Sequence, residues 1–339
     1  ARAQTAAAVE EVVVTAQKRS QSLQDVPLSI DAFSGERLEE SGIANIEDVQ
    51  FLSAGLSFGH DREGSLRTSI RGISSNVGLE TAVAVHVDGV YISNRFDQAN
   101  AFFDLERVEV LRGPQGTLYG RNATGGAINL ISRSPSETPE GSARVTLGNY
   151  QLLETEAQVS GPLAEGLSGR LAFKTSSLPG YGRNGFSQTD VNGADSAAGR
   201  GVLLYEPSAD VTLRLTADYT RVDGTLDDEV SRLFPAQPLF PELGGFAYGR
   251  GFDTTANRPD RQDTKAGGAS LRAEWRTGAA TLTWLTGYRH TKRANTIDID
   301  GAADDRAYFQ VNTFHNRQLS QELNLSSVGD GALQWLIGG

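Results

Sequence analysis

Arg112-Gly113-Pro114-Gln115-Gly116-Thr117-Leu118-Tyr119-Gly120-Arg121-Asn122-Ala123-Thr124-Gly125-Gly126-Ala127-Ile128-Asn129 is the densest motif in the 339-residue chain. Its five glycines permit tight turns and close packing of chain on chain. The run has neither the lysine and spacing of a Walker A loop nor a GxGxxG fingerprint after a strand, so a phosphate cradle is excluded and the glycines read as architectural. Outward from this motif, residues 25 to about 135 form a mixed α+β pattern. Asn45 is placed to cap a helix, with Glu47 and Asp48 in its first turn, Val49 and Leu52 on an apolar stripe and Gly55 at its end. Val83, Val85 and Val87 alternate with Ala84 and His86, and Asp88-Gly89 then turns the chain into Val90-Tyr91-Ile92, a hairpin signal.

Beyond Pro135 and Pro139 the texture becomes repeated alternation. Val211, Leu213, Leu215, Ala217 and Tyr219 interleave with Thr212, Arg214, Thr216, Asp218 and Thr220, so half of that strand faces something apolar. Similar runs at 167–175, 280–288 and 319–325 bring the count to about nine strands of about ten residues. Short connections near 161–166, 206–210, 276–278 and 328–331 alternate with long ones near 178–199, 223–264 and 293–315. Short turns at one end and long loops at the other are the plan of a transmembrane β-barrel. A soluble β-sandwich also alternates, but it is built of shorter strands and rarely carries loops of this length. No apolar run approaches the length of a membrane-spanning helix. Nine strands cannot close around a domain of more than 100 residues, so further strands beyond Gly339 are expected.

Composition narrows the chemistry. With 31 basic and 42 acidic residues the net charge is −11, which argues against a nucleic-acid binder. Cysteine is absent, which removes disulfides, thiolate metal sites and cysteine nucleophiles. His60, His86, His290 and His315 show no metal-ligand spacing, and Asp298, Asp300, Asp304 and Asp305 read as solvated loop charge; no metal, cofactor or catalytic constellation is expected. Ala1-Arg2-Ala3 before Gln4, in a chain without methionine, matches the end of a cleaved secretory signal. The first 24 residues read as a mobile arm with one strand-forming cluster, Val12-Val13-Val14.

The motif at 112–129, with Phe103-Asp104-Leu105-Glu106-Arg107-Val108-Glu109-Val110-Leu111 before it, resembles the plug-domain signature of TonB-dependent outer-membrane receptors. Glu11-Val12-Val13-Val14-Thr15-Ala16 resembles a TonB box, Val26-Pro27-Leu28-Ser29-Ile30 the start of the plug, Ile70-Arg71-Gly72 and Val87-Asp88-Gly89-Val90-Tyr91 its middle, and Gln321-Glu322-Leu323 a barrel segment. The resemblance implies a periplasmic arm (1–24), an α+β plug (25–139) and the N-terminal part of an antiparallel transmembrane barrel (140–339), about 22 strands in full with about nine here and the plug in its lumen. Gly113, Gly116, Tyr119, Gly120, Gly125 and Gly126 are then plug-motif residues.

It also implies residence in the outer membrane of a Gram-negative bacterium, in contact with lipid, and a non-enzymatic role. That role is import of a ferric siderophore or similar small chelate, energised by TonB of the inner membrane through Glu11, Val12, Val13, Val14, Thr15 and Ala16. Such a segment adds to a partner's sheet edge as a strand. Uptake of a carbohydrate, cobalamin or other organic nutrient is the alternative within transport, and a non-transporting β-rich surface adhesin the alternative of another class. In the family arrangement Arg71 and Arg112 face the barrel wall. Since arginine's fork binds carboxylates bidentately, they are expected to pair with Glu322 and a second barrel carboxylate, locking the plug. Tyr181, Phe186, Phe246, Tyr248 and Phe252, in the long loops, are candidates for stacking on a substrate.

Overall fold

Asp88 and Gly89 both take positive φ, 49° and 86°, as a two-residue hairpin turn demands. They join β6 (Val83–Val87) to β7 (Val90–Tyr91) with His86 opposite Tyr91. The computed structural model describes residues 13–15, 17–19, 21–60, 65–74, 81–225, 257, 261–298, 309–329 and 333–339. Earlier in the chain come β1 (Val13–Val14), β2 (Gln21–Ser22), β3 (Ile30–Ser34), α1 (Gly35–Glu40), β4 (Leu56–His60) and β5 (Leu66–Ile70). After β7 come α2 (Arg95–Gln98), β8 (Leu105–Arg112), α3 (Gly116–Tyr119) and β9 (Gly126–Ser132). The helix expected at Asn45 is a single 3-10 turn, Glu47–Phe51; Asp48 N–H donates to Asn45 Oδ1 at 3.0 Å and Asn45 N–H to Asp48 Oδ2 at 3.3 Å.

Chain contacts divide the molecule into two units that do not follow chain order: residues 1–58, 68–91 and 105–133 form one, and 59–67, 92–104 and 134–339 the other. The first is built on a five-stranded sheet of order β3-β8-β9-β6-β7, in which only the β6–β9 pair is parallel. Alternation predicts a half-buried β6, yet all five of its residues are buried. The small Ala84 and the aromatic walls of Tyr119 (ring centroid 5.1 Å from His86) and Tyr91 (5.5 Å) close over the second face as well. His86 is thereby stripped of water, and burial, with Lys18 adding to it, lowers its pKa to about 3.

The second unit holds nine antiparallel strands that neighbour one another in chain order. They are β10 (Glu140–Leu147), β11 (Leu153–Ala164), β12 (Leu167–Leu178), β15 (Ala194–Ser208), β16 (Val211–Thr225), β17 (Arg261–Arg276), β18 (Ala280–Asp298), β19 (Phe309–Ser327) and β20 (Leu336–Gly338). A separate small pair, β13 (Gly182–Arg183) and β14 (Asp190–Val191), lies in the connection from β12 to β15. Seven of the nine strands outrun the expected ten residues: β18 and β19 have 19 each, about 60 Å at ~3.3 Å per residue, so they extend well past a hydrocarbon core. Two or three residues join β11 to β12, β15 to β16 and β17 to β18, whereas ten or more join β12 to β15, β16 to β17 and β18 to β19 at the opposite ends.

One face of this sheet is a continuous apolar belt. Leu171, Phe173, Leu203, Tyr205, Leu215, Tyr219, Trp275, Trp284, Tyr288, Leu319 and Leu323 are all exposed on it. Their register is coherent: Leu203 stands opposite Leu215, Leu215 opposite Leu271, and Trp284 opposite Leu323. Tyr205 and Trp275 mark the edge near the short turns, Phe173, Tyr219 and Tyr288 the edge near the long connections. Val211, the rung opposite Trp275, lies eight residues from Tyr219, about 26 Å along the strand at ~3.3 Å per residue. Two aromatic girdles at that spacing are the dimensions of a lipid-facing barrel wall. The opposite face carries Arg170, Arg200, Thr216, Thr220, Arg289, Thr291 and Arg293, all buried.

Because unfolded His86 takes up a proton near its ordinary value of 6.5 while the folded residue resists until about pH 3, the unfolded state binds more protons in between. The first unit is therefore expected to hold constant stability above about pH 6.5 and to lose it as pH falls toward 3, by up to about 5 kcal/mol. Hydrogen exchange of β6 and β9 in the full protein at pH 7 and 4.5, corrected for intrinsic rates, measures this. His86→Gln should flatten the slope whatever it does to absolute stability.

Candidate functional site

The segment resembling a TonB box is partly described: Glu11, Val12 and Ala16 lie outside the described residues, while Val13, Val14 and Thr15 are placed. They are not a free arm. Val13 and Val14 form β1 and pair with Ser22 and Gln21 of β2. Val14 is fully buried among Val26, Ala84, Leu111, Tyr119, Ala123 and Ala127, whereas Val13 is exposed. Thr15 N–H donates to Glu109 Oε1 at 2.8 Å and its hydroxyl to the same oxygen at 3.2 Å. Glu109, itself fully buried in β8, also accepts from Arg107 Nε (2.9 Å) and Asn129 Nδ2 (3.1 Å), and Asn129 Nδ2 reaches the Tyr119 hydroxyl at 2.7 Å. A buried carboxylate satisfied by four donors from three residues is costly to strip of any one of them. The expected mobility of residues 1–24 is thus corrected for these residues: β-branched side chains suited to a partner's sheet also fill the unit's own core.

Arg112 and Arg71 find local partners. Arg112 Nη2 pairs with Asp31 Oδ1 of β3 at 2.7 Å and Nη1 donates to the Ala54 carbonyl at 3.3 Å, while Ser53 Oγ holds the second Asp31 oxygen at 2.7 Å. Arg71, at φ 52°, donates to Ser29 Oγ at 3.0 Å. Glu322 is half-buried, out of phase with the exposed Leu319, Leu323 and Leu325, and accepts from the Asn324 amide. In the glycine motif, Gly113 and Gly120 take φ 98° and 73°, Gly116 opens α3, and Gly125 lies against Ile73. Gly126 is the tightest: a Cβ there would stand 2.2 Å from the Leu111 carbonyl oxygen. Tyr181 lies beside Tyr150 with ring centroids 5.7 Å apart, and Phe186 is exposed in the same long connection. Phe246, Tyr248 and Phe252 lie outside the described residues.

The densest polar site belongs to the second unit, where residues 92–104 lie on the buried face of the strands. Arg289 of β18 donates from Nε to Asp97 Oδ2 at 3.0 Å and grips Asp218 of β16 with both terminal nitrogens, at 3.0 and 3.1 Å. Arg170 of β12 binds Asp104 through Nε (3.0 and 3.1 Å) and Nη2 (2.6 Å), and reaches Glu140 at 3.2 Å. Arg200 of β15 donates to the carbonyls of Ala101 (3.0 Å) and Phe103 and lies 4.3 Å over the Phe103 ring. Those carbonyls end the short helical stretch at Ala101, where acceptors lack helical partners. Arg293 stacks on Phe96 at 4.1 Å, and Phe96 meets Phe314 at 5.1 Å. Ser93 N–H takes Gln318 Oε1 at 3.2 Å. Burial pushes the Asp97 carboxyl up, and Arg289 pulls it back toward the ionised form.

Residues 22–127 match the TonB-dependent Receptor Plug Domain family. That segment is a plug domain of the TonB-dependent receptors. It is similar to the pesticin receptor of Yersinia pestis, 35% identical over 160 residues, 46% of this chain and 24% of that protein. The iron-regulated outer membrane virulence protein of Vibrio cholerae is 26% identical over 311 residues, 86% of this chain and 44% of its own length. Among solved structures, the ferric yersiniabactin uptake receptor FyuA from Yersinia pestis superposes with TM-score 0.79 at 20% identity, covering 92% of this chain and 47% of that one. The chain spans about a quarter of the length of the first curated relatives it matches. Its fold is the α+β plug and antiparallel barrel strands of these receptors.

The arginine clamp on 92–104 was missed by sequence reading, which looked for plug arginines and a barrel carboxylate. The signal was present: Arg170, Arg200, Asp218 and Arg289 each stand out of phase with a lipid-facing neighbour, Leu171, Gly201, Tyr219 and Tyr288. A charge on the protected face of such a strand requires a partner. Truncating Arg289 would leave Asp97 and Asp218 buried and unpaired, at a cost of about 3–5 kcal/mol. In the receptor, Arg289→Gln should open 92–104 to tryptic cleavage after Arg95, and adding Asp97→Asn should restore part of the protection, which timed digestion reads directly.

Proposed function

We propose that this receptor imports a ferric siderophore across the outer membrane, with energy delivered by TonB through residues 11–16. The observation that carries the reading is the docking of Val14 and Thr15. A strand-forming segment that resembles a TonB box is held by one buried valine and one buried carboxylate, so a partner's sheet edge competes for backbone already within its reach. The relatives support the substrate class: one is an iron-regulated outer-membrane protein and one a ferric yersiniabactin uptake receptor. Iron then arrives already chelated. In chain order a pull on 13–15 next loads β2 and β3, where the Arg112–Asp31 pair ties β3 to the end of β8. In this reading Arg71 and Arg112 resist the pull.

The test separates binding from transport. Deleting residues 10–16 should abolish radioiron uptake from a ferric siderophore while leaving binding of that chelate to cells unchanged. Uptake that survives the deletion removes TonB from the account. Growth restored by the receptor on limiting cobalamin or carbohydrate, but not on limiting iron, overturns the substrate and leaves the energy source standing.

A further inference from the structure

Successive rungs on the exposed face of the second unit change character at the aromatic edge near the long connections. One rung runs Phe173, Gly199, Tyr219, Gly267, His290, Arg317 across six strands. The next runs Ala197, Arg221, Lys265, Lys292, His315. Arg221, Lys265 and Lys292 are thus direct neighbours on three adjacent strands, about 4.8 Å apart from one to the next, with Arg317 one rung below. Like charges directly opposite one another destabilise a sheet unless an anion lies between them.

Among the described residues, carboxylates do not supply enough of that anion. Asp223 and Asp263, one rung further out, are shared among Arg221 (3.7 and 3.4 Å), Arg261 (3.4 Å to Asp223) and Lys265 (3.6 Å to Asp263). These are long, exposed pairs of little strength. Among the described residues, no carboxylate pairs with Lys292 or Arg317, both exposed. Among the described residues Arg221, Arg261, Lys265, Lys292 and Arg317 thus stand against three carboxylates, Asp223, Asp263 and Asp195, the last accepting from Ser177 at 2.6 Å, in a chain whose net charge is −11. At the other edge of the belt, two residues beyond Trp275 and Leu325, stand the uncharged Thr277 and Ser327.

We propose that this row, Arg221, Lys265, Lys292 and Arg317, binds the phosphate groups of a lipid headgroup in the outer leaflet. Arg317 stands on the Tyr219 rung and Arg221, Lys265 and Lys292 one rung past it, about 7 Å further along the strand, the level at which headgroups meet a barrel wall flanked by aromatic girdles. It lies on the side of the long connections, which in such barrels faces the cell exterior. A phosphate group presents several anionic oxygens to neighbouring cations at once, and each basic side chain at a membrane surface adds to the attraction. Transport does not enter this inference.

The full-length receptor, purified in mild detergent, is titrated with lipid A bearing two phosphates and the bound lipid counted by native mass spectrometry. The bisphosphorylated lipid should bind, and the combined Lys265→Gln, Lys292→Gln, Arg317→Gln variant should bind it about tenfold more weakly or worse. Arg276→Gln, at the opposite edge, should change nothing. Dephosphorylated lipid A and phosphatidylglycerol should both bind far less well. Unchanged affinity in the triple variant, or equal binding of the dephosphorylated lipid or of phosphatidylglycerol, overturns the proposal. Mobility on an unheated gel establishes that each variant is folded. Should the triple variant fail that check, Lys292→Gln alone, expected to weaken binding about threefold, is read against Lys292→Arg, expected to keep it.

Discussion

A strand in contact with lipid must satisfy its backbone hydrogen bonds in the sheet and turn apolar side chains outward. With a side-chain period of two, this forces every charge to the other face or beyond the ends of the belt. In the second unit the consequence is visible rung by rung. Leucine, tyrosine and tryptophan hold the exposed face over about 26 Å, arginine holds the protected face, and the basic rungs begin only past Tyr219. Two glycines refine the rule. Gly199 and Gly267, opposite Phe173 and Tyr219, leave bare backbone that those rings cover, the Phe173 ring lying 3.4 Å from where a Cβ of Gly199 would stand.

That period made the strands legible in the sequence. It also placed Glu322 on the face opposite Leu323, and the Asp88-Gly89 turn and the Asn45 side-chain cap were readable from local chemistry. Strand length was not. Lipid sets a minimum for a spanning strand, and nothing in an alternating run says where the bilayer ends, so 19-residue strands and ten-residue ones look alike over their apolar middle. Burial of β6 was equally hidden. Alternation of valine with Ala84 and His86 reads as one wet face until Tyr91 and Tyr119, one of them 33 residues away, are known to lie on it.

The polar sites divide in the same way. A motif such as 112–129 can be recognised because its glycines answer to backbone geometry fixed within the motif: Gly126 has no room for a Cβ because of Leu111. Arginine partners follow from which chain segment lies on which face, a long-range fact. Arg112 is met by Asp31, 81 residues away, and Arg289 by Asp97, 192 residues away. Residue type points to an acceptor without saying which: Arg71 takes the Ser29 hydroxyl and Arg200 backbone carbonyls in place of a carboxylate. For the same reason Val12-Val13-Val14 announces a strand without announcing its partner, and the fully buried Val14 has taken one inside its own unit.

The clamp also has a consequence for how a pull divides the chain. Residues 92–104 lie between β7 and β8 in sequence, yet they are grouped with the strands, held by four arginines on β12, β15 and β18. Tension applied at 13–15 travels along the backbone through β2, β3 and β6 before it reaches Ser93. On the near side the ties include the Thr15–Glu109 and Arg112–Asp31 contacts and a core of small aliphatics. From Ser93 onward it meets buried, multidentate guanidinium bonds whose rupture leaves an unpaired charge. Strength therefore rises along the chain from the N-terminal side. Under the proposed pull on residues 11–16, displacement would stop at 92–104, held by arginines that alternate with the side chains facing lipid.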